Sequence, residues 1–195
     1  TITVNSESIC AGSAAATFTA TATSGTPTSW LWSGQGTGVA QTTSGTTAGN
    51  YSVVGTDGNG CQSTLTTGVL TVNALPTITG VFSACEGSTT QLTGSGTPGA
   101  TPWLSSNVGV ATVSNTGLVP GISSGTTNIT YTNNNSCQKV ETLTVNALPT
   151  ITVNSESICA GSAAATFTAT ATSGTPTSWL WSGQGTGVAQ TTSGT

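Results

Sequence analysis

The sequence predicts an all-β protein, a string of small β-sandwich domains arranged as an extended rod. Three observations predict it: runs of alternating apolar and hydroxyl residues, turn residues about every 8–12 positions, and self-similarity on the scale of a small domain. Residues 150–195 repeat residues 1–46 without a difference. A shorter echo, Leu70–Thr79 against Leu143–Thr152, marks a second boundary. Cutting after Pro76 and Pro149 leaves unit A (1–76), unit B (77–149) and a truncated second copy of unit A (150–195). The repeating block is therefore an A–B pair of 149 residues.

The strands follow in order. Thr17, Thr19, Thr21 and Thr23 alternate with Phe18, Ala20 and Ala22, so one face is hydroxylated and the other faces a core. Ser24-Gly25-Thr26-Pro27 ends that strand. Ser29–Ser33 follows with Trp30 and Trp32 on one face and Leu31 on the other. Gly34–Gly38 breaks the chain before a weaker strand over Val39–Thr43. Tyr51–Gly55 leads into a tight hairpin at Asp57-Gly58-Asn59-Gly60, and Leu65–Val72 closes the unit. In unit B the expected strands are Gln91–Thr93, Trp103-Leu104, Val110–Val113, Leu118-Val119, Asn128–Thr132 and Val140–Val145.

Charge is nearly absent: one Lys, no Arg, no His and five acids. A single cation cannot supply the row of phosphate contacts that nucleic-acid affinity rests on, nor a polybasic patch for anionic lipid. No apolar run approaches the ~18 residues of a membrane-spanning helix, so nucleic acid and direct membrane insertion are both excluded as expectations. Without His, a Ser or Cys nucleophile lacks its usual base. Glu7, Asp57, Glu86 and Glu141 are isolated near turns or strand ends, so no carboxylate pair and no metal cluster is expected. Catalytic residues, cofactor and metal are all read as none. Gly34-Gln35-Gly36-Thr37-Gly38 has neither the Lys nor the helix of a phosphate loop and reads as a turn.

Five cysteines fit the repeat: Cys10 and Cys61 in unit A, Cys85 and Cys137 in unit B, and Cys159 as the copy of Cys10. Two per small domain, with no His and no Cys-x-x-Cys, favour disulfides and an oxidising, extracellular or cell-surface location. The expected pairs are Cys10–Cys61 and Cys85–Cys137, with the partner of Cys159 outside the chain. Each would close a loop of about 52 residues, stabilise its domain by roughly 4 kcal/mol in the chain-entropy model and limit its extension under tension. Trp32 is the expected core tryptophan. Trp30 fills the core edge or, as a second reading, stacks on a sugar of a surface polysaccharide. The Thr17–Thr23 ladder reads as a solvated sheet face.

Trp103-Leu104-Ser105-Ser106-Asn107, Val110-Ala111-Thr112-Val113, Gly117-Leu118-Val119 and Gly125–Thr130 make unit B resemble bacterial Ig-like domains of group 2. Ile9-Cys10-Ala11-Gly12, Leu31-Trp32-Ser33, Ala48–Val53 and Asn59-Gly60-Cys61 make unit A similar to PKD-like Ig modules of Bacteroidetes surface proteins. Arrays of such units joined by Val-Asn-Ala-Leu-Pro linkers resemble the giant repetitive cell-surface adhesins of gliding Bacteroidetes, the SprB type. That resemblance implies tandem Ig-like β-sandwiches, export by type IX secretion and a filamentous, mobile adhesin.

A seven-strand Ig order would put Cys10 and Cys61 at opposite ends of the sandwich. In that case Cys10 reaches Cys137 of the next unit instead, and the bond staples neighbours. The expected function is a structural segment of an extracellular adhesin or surface filament. A multivalent polysaccharide-binding array and the stalk of a secreted enzyme are the alternatives. Expected partners are neighbouring domains or copies of the same array. Residues 150–195 hold only the first strands of a unit, so their apolar faces are expected to be exposed unless more chain, or another molecule, supplies the rest.

Overall fold

The computed structural model describes residues 1–182 and the backbone of residues 191–194, and every regular element among them is a β-strand. In unit A these are β1 (Ile2–Val4), β2 (Glu7–Cys10), β3 (Ala16–Ala22), β4 (Pro27–Gly34), β5 (Thr42–Gly45), β6 (Gly49–Asp57) and β7 (Thr66–Asn73). They form two sheets, β1-β3-β5 and β2-β7-β6-β4. All neighbours run antiparallel except β2, which lies parallel to β7.

Unit B repeats this plan with different residues. Its strands are β8 (Ile78–Gly80), β9 (Ser83–Cys85), β10 (Thr89–Gly94), β11 (Pro98–Ser105), β12 (Leu118–Pro120), β13 (Gly125–Asn133) and β14 (Gln138–Asn146). The sheets are β8-β10-β12 and β9-β14-β13-β11, with β9 parallel to β14. Each strand of unit A therefore has a counterpart in unit B at the same place in the same sheet. This is the seven-strand Ig-like sandwich, and the chain is all-β.

Inward-facing positions of both sheets make each core. In unit A these include Ile2, Phe18, Trp32, Tyr51, Val53 and Leu70. In unit B they include Leu92, Trp103, Val119, Ile129, Tyr131 and Leu143. Each large side chain buried this way contributes roughly 1.5–3 kcal/mol. Phe18 stacks on Tyr51 with ring centroids 4.1 Å apart, and Trp103 meets Tyr131 at 4.7 Å. The Tyr51 hydroxyl donates to the Thr47 carbonyl at 3.0 Å, which pins the entry to β6 as a tyrosine corner does. Its ring fills the space beside Gly45, where a Cβ would lie 1.9 Å from the hydroxyl oxygen.

The structure departs from the sequence expectation in three places. The strand expected at Val39–Thr43 begins only at Thr42, because the preceding loop folds back on Trp32. The Trp32 amide donates to Gly38 O (3.0 Å) and its indole Nε1 to Ala40 O (2.8 Å). Val110–Val113 is no strand: a turn over residues 108–110 leads into an isolated bridge between Ala111 and Gly121. The Asn107 carbonyl accepts from Val110 and Ala111 at 3.1 and 3.2 Å, and the Asn107 side chain holds Gly109 N at 3.1 Å. Val110 and Ala111 are buried all the same, so apolar residues alone did not reveal their conformation. The short strands β1, β2, β8 and β9 were not anticipated, since three or four residues are too few for a period to show.

In the second copy of unit A, β15 (Thr150–Val153), β16 (Ala165–Ser173) and β17 (Thr191–Gly194) form one sheet in the order β15-β16-β17, as β1, β3 and β5 do.

Candidate functional site: the junction between units

The two ends of each sandwich differ, and the difference places the cysteines. In unit A the parallel ladder of β2 on β7 runs from Glu7↔Leu70 to Cys10↔Asn73. Cys10 thus stands level with the last residue of β7, at the end where the linker Ala74-Leu75-Pro76 leaves. Ala11 N closes the ladder on Asn73 O at 2.8 Å.

Cys137 lies at the facing end of unit B. It follows the hairpin Asn133–Ser136 and immediately precedes β14. The Asn133 side-chain oxygen accepts from Asn135 N and Cys137 N, both at 3.0 Å, and Asn133 N donates to Cys137 O at 3.0 Å. Ser136 sits at φ 61°, a left-handed position that a short polar residue tolerates. The same end of unit B receives the linker: Thr77 N donates to Ser95 Oγ at 2.8 Å and Ser95 N to Thr77 O at 2.9 Å. Asn134 N reaches Thr97 O at 2.9 Å, tying the hairpin to the turn that holds the linker.

The facing ends are covalently joined. Cys10 is bonded to Cys137, with Cα atoms 5.6 Å apart. This corrects the expected pairs Cys10–Cys61 and Cys85–Cys137. Strands β7 and β14 rise ~3.4 Å per residue, so the two cysteines of one unit stand roughly 25–30 Å apart along the sandwich, far beyond the ~7 Å a disulfide tolerates. Cys61, Cys85 and Cys159 are exposed free thiols.

The remaining candidates have structural uses. Trp32 is buried, while Trp30 is half-buried and packs against the same core opposite Gly55. Thr17, Thr19, Thr21 and Thr23 are exposed, and across the sheet the first three oppose Ser44, Thr42 and Thr3 in a hydroxyl face. Asp57 Oδ1 accepts from Asn59 N (2.9 Å) and Cys61 N (2.8 Å), shaping the hairpin. Glu7 accepts from Asn5 and Glu86 from Ser124 N, while Glu141 pairs with Lys139 at 3.1 Å. Among the described residues no three His, Cys, Asp or Glu side chains gather as metal ligands, and no helix is long and apolar enough to cross a membrane.

Fold and junction together define a class: tandem Ig-like sandwiches with a covalently clamped hinge. Residues 77–145 match the family model of the bacterial Ig-like domain (group 2). Solved structures with the same fold include the N-terminal eight Ig domains of Down syndrome cell adhesion molecule, 14% identical with TM-score 0.50, covering 88% of this chain and 28% of that one. The C-terminal fragment of intimin, solved with the intimin-binding domain of its translocated receptor, is 20% identical with TM-score 0.47, over 79% and 66% of the two chains. An intimin mutant from EHEC O157:H7 matches at 20% identity and TM-score 0.33, over 41% of this chain and about half (50%) of its own. At 14% identity the likeness to the Down syndrome cell adhesion molecule concerns the fold alone. No curated protein sequence matches the chain.

Proposed function

We propose that this chain is a structural, non-catalytic segment of an extracellular rod, built by alternating unit A (1–76) with unit B (77–149), and that it holds an adhesive tip away from a cell or forms a surface filament. The observation that carries this reading is the Cys10–Cys137 bond across the junction. A peptide linker alone lets two sandwiches swing about each other. A second covalent connection beside it removes most of that freedom, because rotation about the linker would have to stretch the disulfide.

The bond also sets the response to tension. The shortest covalent path through an A–B pair runs along residues 1–10, crosses the disulfide and continues along residues 137–149, which is 23 of every 149 residues. At ~3.4 Å per residue those can span only about 80 Å. Two stacked sandwiches with nine-residue strands already occupy about 60 Å in their strands alone. The stapled pair can therefore lengthen by only about 20 Å under tension, whether or not its units unfold. The oxidising location that the disulfide requires agrees with a cell-surface array, and the giant adhesins of gliding Bacteroidetes are the kind of protein this design suits.

Small-angle scattering tests the reading. The oxidised chain is expected to scatter as an elongated, stiff particle of about 35–45 Å per unit, and reduction should broaden the distance distribution. A compact particle with units side by side, unchanged by reduction, would overturn it.

A further inference from the structure

The exposed thiols Cys61 and Cys85 hold the same places in their units as the two bonded cysteines, with matching backbone hydrogen bonds around them. Cys85 is the counterpart of Cys10. It ends β9 level with Asn146, the last residue of β14, as Cys10 ends β2 level with Asn73. Glu86 N donates to Asn146 O at 3.0 Å where Ala11 N donates to Asn73 O at 2.8 Å, and Ser88 N returns to Cys85 O at 3.0 Å as Ser13 N returns to Cys10 O at 3.0 Å.

Cys61 is the counterpart of Cys137. Its hairpin, Asp57–Gly60, has the same wiring as Asn133–Ser136. Asp57 Oδ1 holds Asn59 N and Cys61 N, Asp57 N donates to Cys61 O at 3.0 Å, and Gly60 takes φ 82° where Ser136 takes φ 61°.

The surfaces between them are also duplicated. The linker Ala147-Leu148-Pro149 repeats Ala74-Leu75-Pro76, and the receiving turn Ser173-Gly174-Thr175-Pro176 repeats both Ser24–Pro27 and Ser95–Pro98. Thr150 N docks on Ser173 Oγ at 3.1 Å as Thr77 N docks on Ser95 Oγ at 2.8 Å. A Cβ on Gly174 would touch Pro149 at 3.1 Å, so the second linker is seated on that turn. The same turn in the first copy, with Thr1, Asp57 and Cys61, lines a groove at the end of unit A opposite the Ala74-Leu75-Pro76 linker.

We infer that Cys85 and the cysteine corresponding to Cys61 in the following unit A form a second disulfide, so that every junction of the array, B to A as well as A to B, is stapled. The inference rests on the array reading above. Two thiols join with loss of two protons and two electrons, and the electrons reduce an oxidising protein disulfide of the extracytoplasmic compartment to its dithiol. Two covalent strands then run the length of the rod. One passes through residues 1–10 and 137–149. The other passes through residues 61–85, along β7, the linker, β8 and β9. Wherever one strand crosses a junction by peptide, the other crosses by disulfide.

The test compares two chains produced under oxidising conditions: residues 1–195, and residues 1–149 followed by a complete second unit A with the sequence of residues 1–76. Free thiols are counted by alkylation and mass spectrometry, and the disulfides mapped after Glu-C, Asp-N and chymotryptic digestion. Phe82 and Glu86 allow the Cys85 peptide to be separated from that of Cys61. The shorter chain should show three free thiols. The longer one should show two, with the Ser83–Glu86 peptide bonded to the peptide that begins at the copy of Asp57. Four free thiols in the longer chain with Cys10–Cys137 intact would overturn the second staple and leave the first standing. Cys10–Cys61 and Cys85–Cys137 pairs would overturn both.

Discussion

Residues 1–46 and 150–195 are the same sequence in two surroundings, and they do not fold alike. Their β1-β3-β5 and β15-β16-β17 sheets agree. So does the network at the first bend: Asn5 accepts from Thr19 N (2.7 Å) and donates to Thr17 O (3.0 Å), and Asn154 does the same with Thr168 N (2.6 Å) and Thr166 O (3.1 Å). Elsewhere they part. Residues 156–159 copy β2 but form no strand, and among the described residues nothing pairs with them as β7 pairs with β2. Ile2 is 4% exposed and Ile151 is 53% exposed; Phe18 is fully buried and Phe167 half-buried. One sheet is a local product of its sequence, while the core needs the second sheet.

Three pairs of changes break or sharpen this contrast. The largest difference is expected at the cysteines. Cys10→Ser removes a cross-link of separation 127 and should lower the stability of the A–B pair by about 5 kcal/mol in the chain-entropy model. Cys159→Ser should leave it unchanged. Chemical denaturation of the two variants measures both, and equal effects would dissolve the contrast. Next comes the core. Phe18→Ala should cost about 3–5 kcal/mol, as for a buried aromatic, whereas Phe167→Ala should cost under about 1 kcal/mol. Hydrogen exchange at β3 and β16 separates the two sites within one chain. The smallest difference is expected at the bend. Asn5→Ala and Asn154→Ala each lose the same local hydrogen bonds, so both should weaken their own sheet by about 1 kcal/mol. A much larger loss at Asn5 alone would show that the bend also depends on the second sheet.

Much of this was legible in the residues. Alternation in Ala16–Ala22 and the Trp30-Leu31-Trp32 triplet named the inward faces, and Asp57-Gly58-Asn59-Gly60 named a hairpin, because period and turn chemistry are local. The short strands β1, β2, β8 and β9 stayed hidden, and so did the turn that ends at Val110, whose apolar side chain looks the same in a strand. The cysteine pairing was half legible. Cys61 and Cys137 each follow a hairpin, while Cys10 and Cys85 each precede a glycine turn, at Gly12 and Gly87. That distinction sorts them by end of the sandwich. Nearly matching separations within each unit point the other way, and they mislead.

By itself the sequence determined the all-β class, the A–B period, the hydroxyl and apolar faces of β3, and the hairpin that carries Cys61. These follow from side-chain alternation and turn residues that act within a few positions. Only the tertiary structure decided which cysteines meet and which apolar residues are buried. The parallel seating of β2 on β7 carries Cys10 to the exit of unit A, and the length of a strand separates it from Cys61. A disulfide forms where chain ends are brought within bonding distance, and that distance is set by how whole sheets stack, not by spacing along the chain.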